Sequence, residues 1–272
     1  MIINADPHAF GLALLPWTTL LALAGGLGAT AWMMNQATAF NLTPGATYTT
    51  ALQVVLWSLL GGRFFHVIDY MGFYADVPLQ VLYLWNGGLS LWGTLIFGSA
   101  GALWHAKRKG ATLARFGQAL SLAGLATLAA GRIGDFIAGE RMGSETSLPW
   151  AVTYLHEHSV SLDSGSAHPV ALYEALLALA LLAALIGFRR RVKPTRTIEI
   201  TFASYALGSF LIGFVTIADT AWGLDFSQWV SLGVLGGIGL FNIGGIRRQD
   251  GDVDYRGRPD WDRVRENRGG SW

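Results

Sequence analysis

The stretch Lys107-Arg108-Lys109-Gly110-Ala111-Thr112-Leu113-Ala114-Arg115 decides how this chain is read. Its four basic residues stand between two apolar runs, 87–105 and 114–132. Crossing about 30 Å of hydrocarbon takes roughly 20 apolar residues, so both runs are candidate spans. The pattern recurs further along. Five basic residues lie in Arg189–Arg196 and seven follow Phe241, so sixteen of the nineteen Lys and Arg residues fall in three clusters. Basic residues beside membrane spans stay on the cytoplasmic side. Arg63, Arg132 and Arg141 are the exceptions, and they mark where chemistry can sit.

Further apolar runs at 11–34, 49–68, 169–188, 199–219 and 226–246 join the first two. Backbone in the bilayer interior must satisfy its own hydrogen bonds, so each run is expected to be helical. The expected fold is an all-α polytopic membrane protein of about seven transmembrane helices. The three basic clusters agree on one orientation, with the amino terminus outside and the carboxyl terminus cytoplasmic. The first run has no basic flank before it and reads as a retained span, not a cleaved leader. Residues 1–246 form the membrane domain. Residues 247–272 are rich in Arg, Asp and Gly and read as a polar, disordered cytoplasmic tail.

Composition agrees. The chain has 272 residues, 52% hydrophobic and 14% charged, against about 25% charged in soluble domains. A net charge of +1 gives no footprint for nucleic acid. Cysteine is absent, which excludes disulfides, thiolate metal sites and a cysteine nucleophile. There is no inverted repeat of the kind that builds transporters.

The densest polar constellation is Gly131-Arg132-Ile133-Gly134-Asp135-Phe136-Ile137-Ala138-Gly139-Glu140-Arg141-Met142-Gly143. Arg132 and Asp135 are three apart and share a helix face. The glycines after them make a continuing helix doubtful and let backbone approach a ligand closely. Two readings are open. An interfacial Arg–Asp pair can simply end the span, or Arg132 can fork onto a phosphate while a carboxylate such as Glu140 orients it or takes a proton. In His168-Pro169-Val170-Ala171-Leu172-Tyr173-Glu174, Pro169 suits a first helical turn. Glu174 lies in an apolar run, where a lone carboxylate is costly, so it needs a partner such as His168, Arg132 or Arg63. Two more stretches are Gly61-Gly62-Arg63-Phe64-Phe65-His66-Val67-Ile68-Asp69-Tyr70 and Trp85-Asn86-Gly87-Gly88-Leu89-Ser90.

Taken together and in order, these stretches, with LPWAV at 148–152 and SQWVSL at 227–232, resemble the prolipoprotein diacylglyceryl transferases of the bacterial inner membrane. The resemblance covers most of residues 8–246. It implies transfer of the diacylglyceryl group of phosphatidylglycerol, or of another anionic phospholipid, to the thiol of a lipobox cysteine in a prolipoprotein. Neither metal nor cofactor is implied. The implied catalytic residues are Arg132, Glu140, His168 and Glu174. Arg63, Asn86, Asp135, Gly143 and Tyr173 are the implied substrate-binding residues.

The chain also departs from that pattern. Asp135 stands where the family has Asn, and Phe10 where it has Tyr. Trp92-Gly93-Thr94 replaces His-Gly-Gly. Ser209 and Gly213 align with an Arg and a Glu, and Ala167 with an Arg. Lost members of a cooperating site are not small perturbations, so weakened or altered transfer is the expectation. A silent paralogue that binds anionic lipid or lipoprotein is the first alternative. A small-solute transporter is the second.

Overall fold

The computed structural model describes residues 1–4, 6–8, 17–83, 88–156, 158–159, 161–162, 165–188, 191–218 and 220–251, with the last helix's side chains described to residue 243. Strand β1 is Ile2–Ile3 and helix α1 is Trp17–Asn35. Helix α2 is Pro44–Asp69, α3 is Met71–Asp76 and α4 is Leu91–Arg108. Helix α5 is Leu113–Ala138, strand β2 is Thr153–Tyr154, helix α6 is Val170–Phe188 and α7 is Pro194–Gly213. The hairpin strands β3, Thr220–Ala221, and β4, Leu224–Asp225, lead into α8, Phe226–Gly251.

The long helices fall where the apolar runs predict them, with ends moved by local chemistry. Pro44 opens α2 five residues before the expected 49, because the Thr43 side chain accepts a hydrogen bond from the Ala46 N–H at 3.1 Å and caps the turn. Pro194 likewise opens α7 before the expected 199, and that helix stops at Gly213 rather than reaching 219. Helix α5 runs six residues past the expected 132, so Arg132 and Asp135 lie inside it. It ends where Gly139 adopts a left-handed φ of 73° and its N–H donates to the Asp135 carbonyl.

Among the described residues, four helices are long and apolar enough to cross a membrane: α2, α5, α6 and the Phe226–Ile243 part of α8. Helix α4 ends in His105, Lys107 and Arg108, and α7 carries Arg196 and Glu199 in its first turns, which lowers their apolar content. The first expected run starts in residues outside those described. So do residues 252–272 of the expected polar tail.

Helix α5 is the axis of the bundle and packs against α1, α6 and α7, while α2 lies on α4 and α7 on α8. Toward the start of α5, Met33, Phe40, Ala102 and Phe116 form one buried cluster. Another gathers Trp92, Tyr205 and Ala206. The outer face of α2 leaves Leu52, Val55, Leu56 and Leu60 exposed. Such a face is stable against lipid tails and costly against water. Between α2 and α4 the backbones touch: a Cβ on Gly93 would stand 2.0 Å from the Gly61 carbonyl oxygen. Small residues permit this approach, which is common between membrane helices.

Candidate active site

The end of α5 carries the charges. Three residues of separation put Arg132 and Asp135 on one face, and Arg132 Nη1 donates to Asp135 Oδ2. From α6, Glu174 brings Oε2 to 2.6 Å from Arg132 Nε. That contact is an ion pair without an aligned hydrogen bond, since neither atom has a bond of good angle. Arg141 Nη2 donates to Glu174 Oε1 at 3.0 Å. Arg132, Asp135 and Glu174 are buried and Arg141 is exposed. Two cations and two carboxylates therefore neutralise one another, which is the condition for burying charge at all.

Arg141 reaches Glu174 because the chain reverses after α5. Gly139 is left-handed, and Arg141 is too, at φ 58°. A non-glycine residue in that region is uncommon and strained. The reversal is held from the loop around β2. Tyr154 Oη donates to the Phe136 carbonyl, Ser159 Oγ to Ala138 and Ser161 Oγ to Gly139. Burial pushes the Tyr154 phenol up from its ordinary pKa. A side chain at Gly139 would collide with Ser159, its Cβ 2.1 Å from Oγ.

Glu140 follows the reversal and is partly buried. Thr18 of α1 donates to its Oε1 at 3.3 Å. Burial raises its pKa above the ordinary carboxylate value, and the negative Asp135 raises it further. Thr18, Arg132 and Arg141 oppose the shift. A carboxylate raised in this way is a better proton acceptor than an exposed one.

His168, Tyr173 and Trp150 form a chain beside this cluster. His168 Nδ1 and Tyr173 Oη are 3.0 Å apart, and Trp150 Nε1 donates to Tyr173 Oη at 2.8 Å. Gly143 is pinned between α6 and α7. Its N–H donates to the His168 carbonyl at 2.8 Å, and a Cβ there would stand 2.2 Å from the Val215 carbonyl oxygen. Of Glu174's expected partners, the structure supplies Arg132, and it adds Arg141. Arg63 serves elsewhere. Its Nε donates to Val81 O at 2.9 Å, Nη1 to Gly88 O at 3.1 Å, and Nη2 to Gln80 O and Tyr83 O. Asn86 and Phe10 lie outside the described residues.

The replaced positions also meet. Trp92 is buried and its Nε1 donates to Ser227 Oγ at 2.9 Å. Ser209 Oγ lies 3.4 Å from the same Ser227 oxygen. Gln228 occupies the space beside Gly213, where a Cβ would be 2.5 Å from its Cγ. Ala167 is buried and bridges Val152.

Sequence reasoning leaves out Tyr205 and Thr18 as members of the site, and marks Arg141 without giving it a role. The Tyr205 hydroxyl is buried against Arg132 without an aligned hydrogen bond, and its ring packs on Trp92 with centroids 5.6 Å apart. A phenol in the middle of an apolar run was the available signal. Arg141 was signalled by standing outside the basic clusters. Nothing in the sequence pointed to Thr18. Tyr205 also lines an apolar cleft with Leu95, Ser99, Leu120, Leu128 and Phe202, between α4, α5 and α7.

A helical bundle with apolar outer faces and a neutralised charge cluster buried at one end is the make-up of a membrane protein with a polar site. The chain belongs to the prolipoprotein diacylglyceryl transferase family, whose profile matches residues 7–243. It is 30% identical over 237 residues to phosphatidylglycerol–prolipoprotein diacylglyceryl transferase 1 of Streptomyces coelicolor, covering 83% of this chain and 68% of that protein. To the enzyme of that type from Ectopseudomonas mendocina it is 30% identical over 253 residues, 86% of this chain and 92% of the relative. To that of Bordetella avium it is 35% identical over 196 residues, 69% of this chain and 73% of the relative.

Proposed function

We propose that this chain is a multi-pass protein of a bacterial inner membrane, with seven spans, an outer amino terminus and a cytoplasmic carboxyl terminus. It moves the diacylglyceryl group of phosphatidylglycerol to the lipobox cysteine of a prolipoprotein, with weakened or altered turnover. The observation that carries this reading is Arg132, buried between Asp135 and Glu174 and close to Glu140, in a chain of this family.

The cysteine thiol gives its proton to the Glu140 carboxylate, and the sulfur attacks the glyceryl carbon that bears the phosphate ester. A C–S bond forms and the C–O bond breaks, so the electron pair leaves on glycerol phosphate. Arg132 faces that phosphate. Its described contacts use Nε and Nη1, and the remaining N–H groups of the fork serve the lipid. Arg141, exposed at the edge of the cluster, adds a second cation on the approach. The Leu95–Tyr205 cleft takes an acyl chain. Tyr173 and His168 bound the site on the α6 side, and Arg63 ties down the 78–83 segment and Gly88.

Weakened turnover is supported by Trp92, Ser209 and Gly213. An indole fills space where the resemblance expects an imidazole, and two hydroxyls and an amide occupy the place of an Arg and a Glu. The same network favours the second reading, a silent paralogue that holds anionic lipid. Purified chain in phosphatidylglycerol micelles, given a lipobox peptide, should release glycerol phosphate, and Arg132→Ala should abolish release. No release above a protein-free blank would overturn transfer and leave the lipid-binding reading. A transporter needs polar residues along a path through the bundle, whereas these charges gather at one end of α5. Solute flux into liposomes would revive that option.

A further inference from the structure

A second group of ligating side chains lies outside the charged cluster. Asp6 and His8 belong to the segment between β1 and α1, and His156 and His158 to the loop after β2. They meet because β1 and β2 pair in parallel, Ile2 opposite Thr153 and Ile3 opposite Tyr154. Two parallel strands run the same way, so the residues that follow each one emerge side by side. Three of the chain's six histidines are gathered there.

The geometry is that of a coordination site. One ligand atom each from Asp6, His8 and His158 lies within 4.8 Å of the other two. His8 Nδ1 and Asp6 Oδ1 are 3.3 Å apart. That is long for a charged hydrogen bond. It matches the edge of a tetrahedron whose ligands stand about 2.0–2.1 Å from a central ion, which is roughly 3.3 Å. The His158 ring meets His8 edge-on with centroids 5.8 Å apart, and the His156 ring is 5.4 Å from His158. Asp6 and His8 are half-buried and His158 is exposed, so an ion can enter from water. The bland alternative is a surface turn in which the His8 N–H donates to Asp6 Oδ1 at 2.9 Å. That turn accounts for Asp6 and His8. It does not account for a histidine from the far loop, His158, closing the same triangle.

We infer that Asp6, His8 and His158 bind a divalent transition-metal ion of the zinc class, with His156 beside them as a further donor. Imidazole with one carboxylate suits Zn²⁺, Cu²⁺ or Ni²⁺. Ca²⁺ and Mg²⁺ need more oxygen ligands. The site's role is structural. Trp17, the first residue of α1, donates from Nε1 to the Asp6 carbonyl at 3.0 Å and from its backbone N–H to Pro7 O at 3.1 Å. On the other side, Tyr154, Ser159 and Ser161 hold the last carbonyls of α5. An ion at Asp6, His8 and His158 therefore clamps the start of α1, which presents Thr18 to Glu140, to the loop that shapes the reversal after α5.

The test is zinc binding by the full chain, purified without a histidine tag and stripped with chelator. Metal content and calorimetric titration with ZnCl₂ should give about one Zn²⁺ per chain, and thermal stability should rise with it. His8→Ala and His158→Ala should each weaken binding about a hundredfold or more, a larger loss than the 10–100-fold of removing an outer-shell partner. Asp6→Asn, which keeps the turn, should weaken it less. His105→Ala, outside the cluster, should bind as the parent does and shows that histidine loss alone is not the cause. A parent chain that takes up no Zn²⁺ would overturn the site, as would unchanged binding in both His8→Ala and His158→Ala, or equal binding of Mg²⁺. The readout is metal, not transfer, so its failure is distinct from a failure of the proposed reaction.

Discussion

Arg63 and Arg132 are the same residue type, buried to the same degree, 7% and 8% exposed, each inside a long helix. Their partners differ. Arg63 gives its donors to the carbonyls of Gln80, Val81, Tyr83 and Gly88, and its guanidinium lies over the Tyr74 ring at 5.1 Å. Arg132 stands between two carboxylates. Carbonyls fix an irregular segment of chain, and the arginine acts as a brace. Carboxylates set charge against charge and hold a cation in place, and under the proposed reaction that cation answers a phosphate. A buried arginine is therefore not a site by virtue of burial; the chemistry of its neighbours decides which kind it is.

The largest effect should come from Arg132→Ala, which strands Asp135 as a buried carboxylate and leaves Glu174 with Arg141 alone. Breaking such a pair costs about 3–5 kcal/mol. Thermal unfolding in micelles should show a drop of that order together with the loss of glycerol phosphate release. Replacing Arg132, Asp135 and Glu174 together with apolar residues of similar size should return much of the stability and none of the release. If the triple change is as unstable as the single one, the three residues do not act as one charge cluster.

Arg63→Ala should come next. Hydrogen bonds to a charged group are worth about 1.5–3 kcal/mol net, and bonds made by one side chain do not add in full. Its signature should be faster amide exchange at residues 78–83 and Gly88, with transfer reduced less than by Arg132→Ala. Loss of phosphatidylglycerol affinity with exchange unchanged would place Arg63 among the lipid-binding residues and erase the contrast.

Glu140→Gln should have the smallest effect on stability and a distinctive pH dependence. A carboxylate raised by burial binds its proton more tightly in the folded state than in the unfolded one. Its contribution to stability is present below the unfolded value and is lost as pH rises through the folded one. The amide that replaces the carboxyl cannot titrate, so the melting temperature of the variant should fall less than the parent's between acid and neutral pH, while transfer is lost. A parallel pair of pH profiles would remove Glu140 from the role of buried base.

Much of this was legible in the chain itself. Apolar runs bounded by Arg189–Arg196 and Lys107–Arg115 announce helices, because hydrocarbon admits little else. The spacing of Arg132 and Asp135 predicts their contact, and the isolation of Glu174 predicts a cation. What could not be read depends on tertiary placement. Arg141 reaches Glu174 through two departures from helical backbone, at Gly139 and at Arg141 itself. Thr18 meets Glu140 across 122 positions of chain. His8 meets His158 through two short strands that no periodicity signals. The end of α5 moved because its cap at Gly139, not the apolar composition, sets where the helix stops.

The contact of bare backbone at Gly61 and Gly93 has a mechanical consequence. With no side chain between them at that point, and with Ser58 Oγ donating to the Thr94 carbonyl beside it, the two helices cannot be wedged apart without breaking that seam, so α2 and α4 form one panel. The Leu95 and Ser99 wall of the apolar cleft is carried on that panel, facing Leu120 of α5 and Phe202 and Tyr205 of α7.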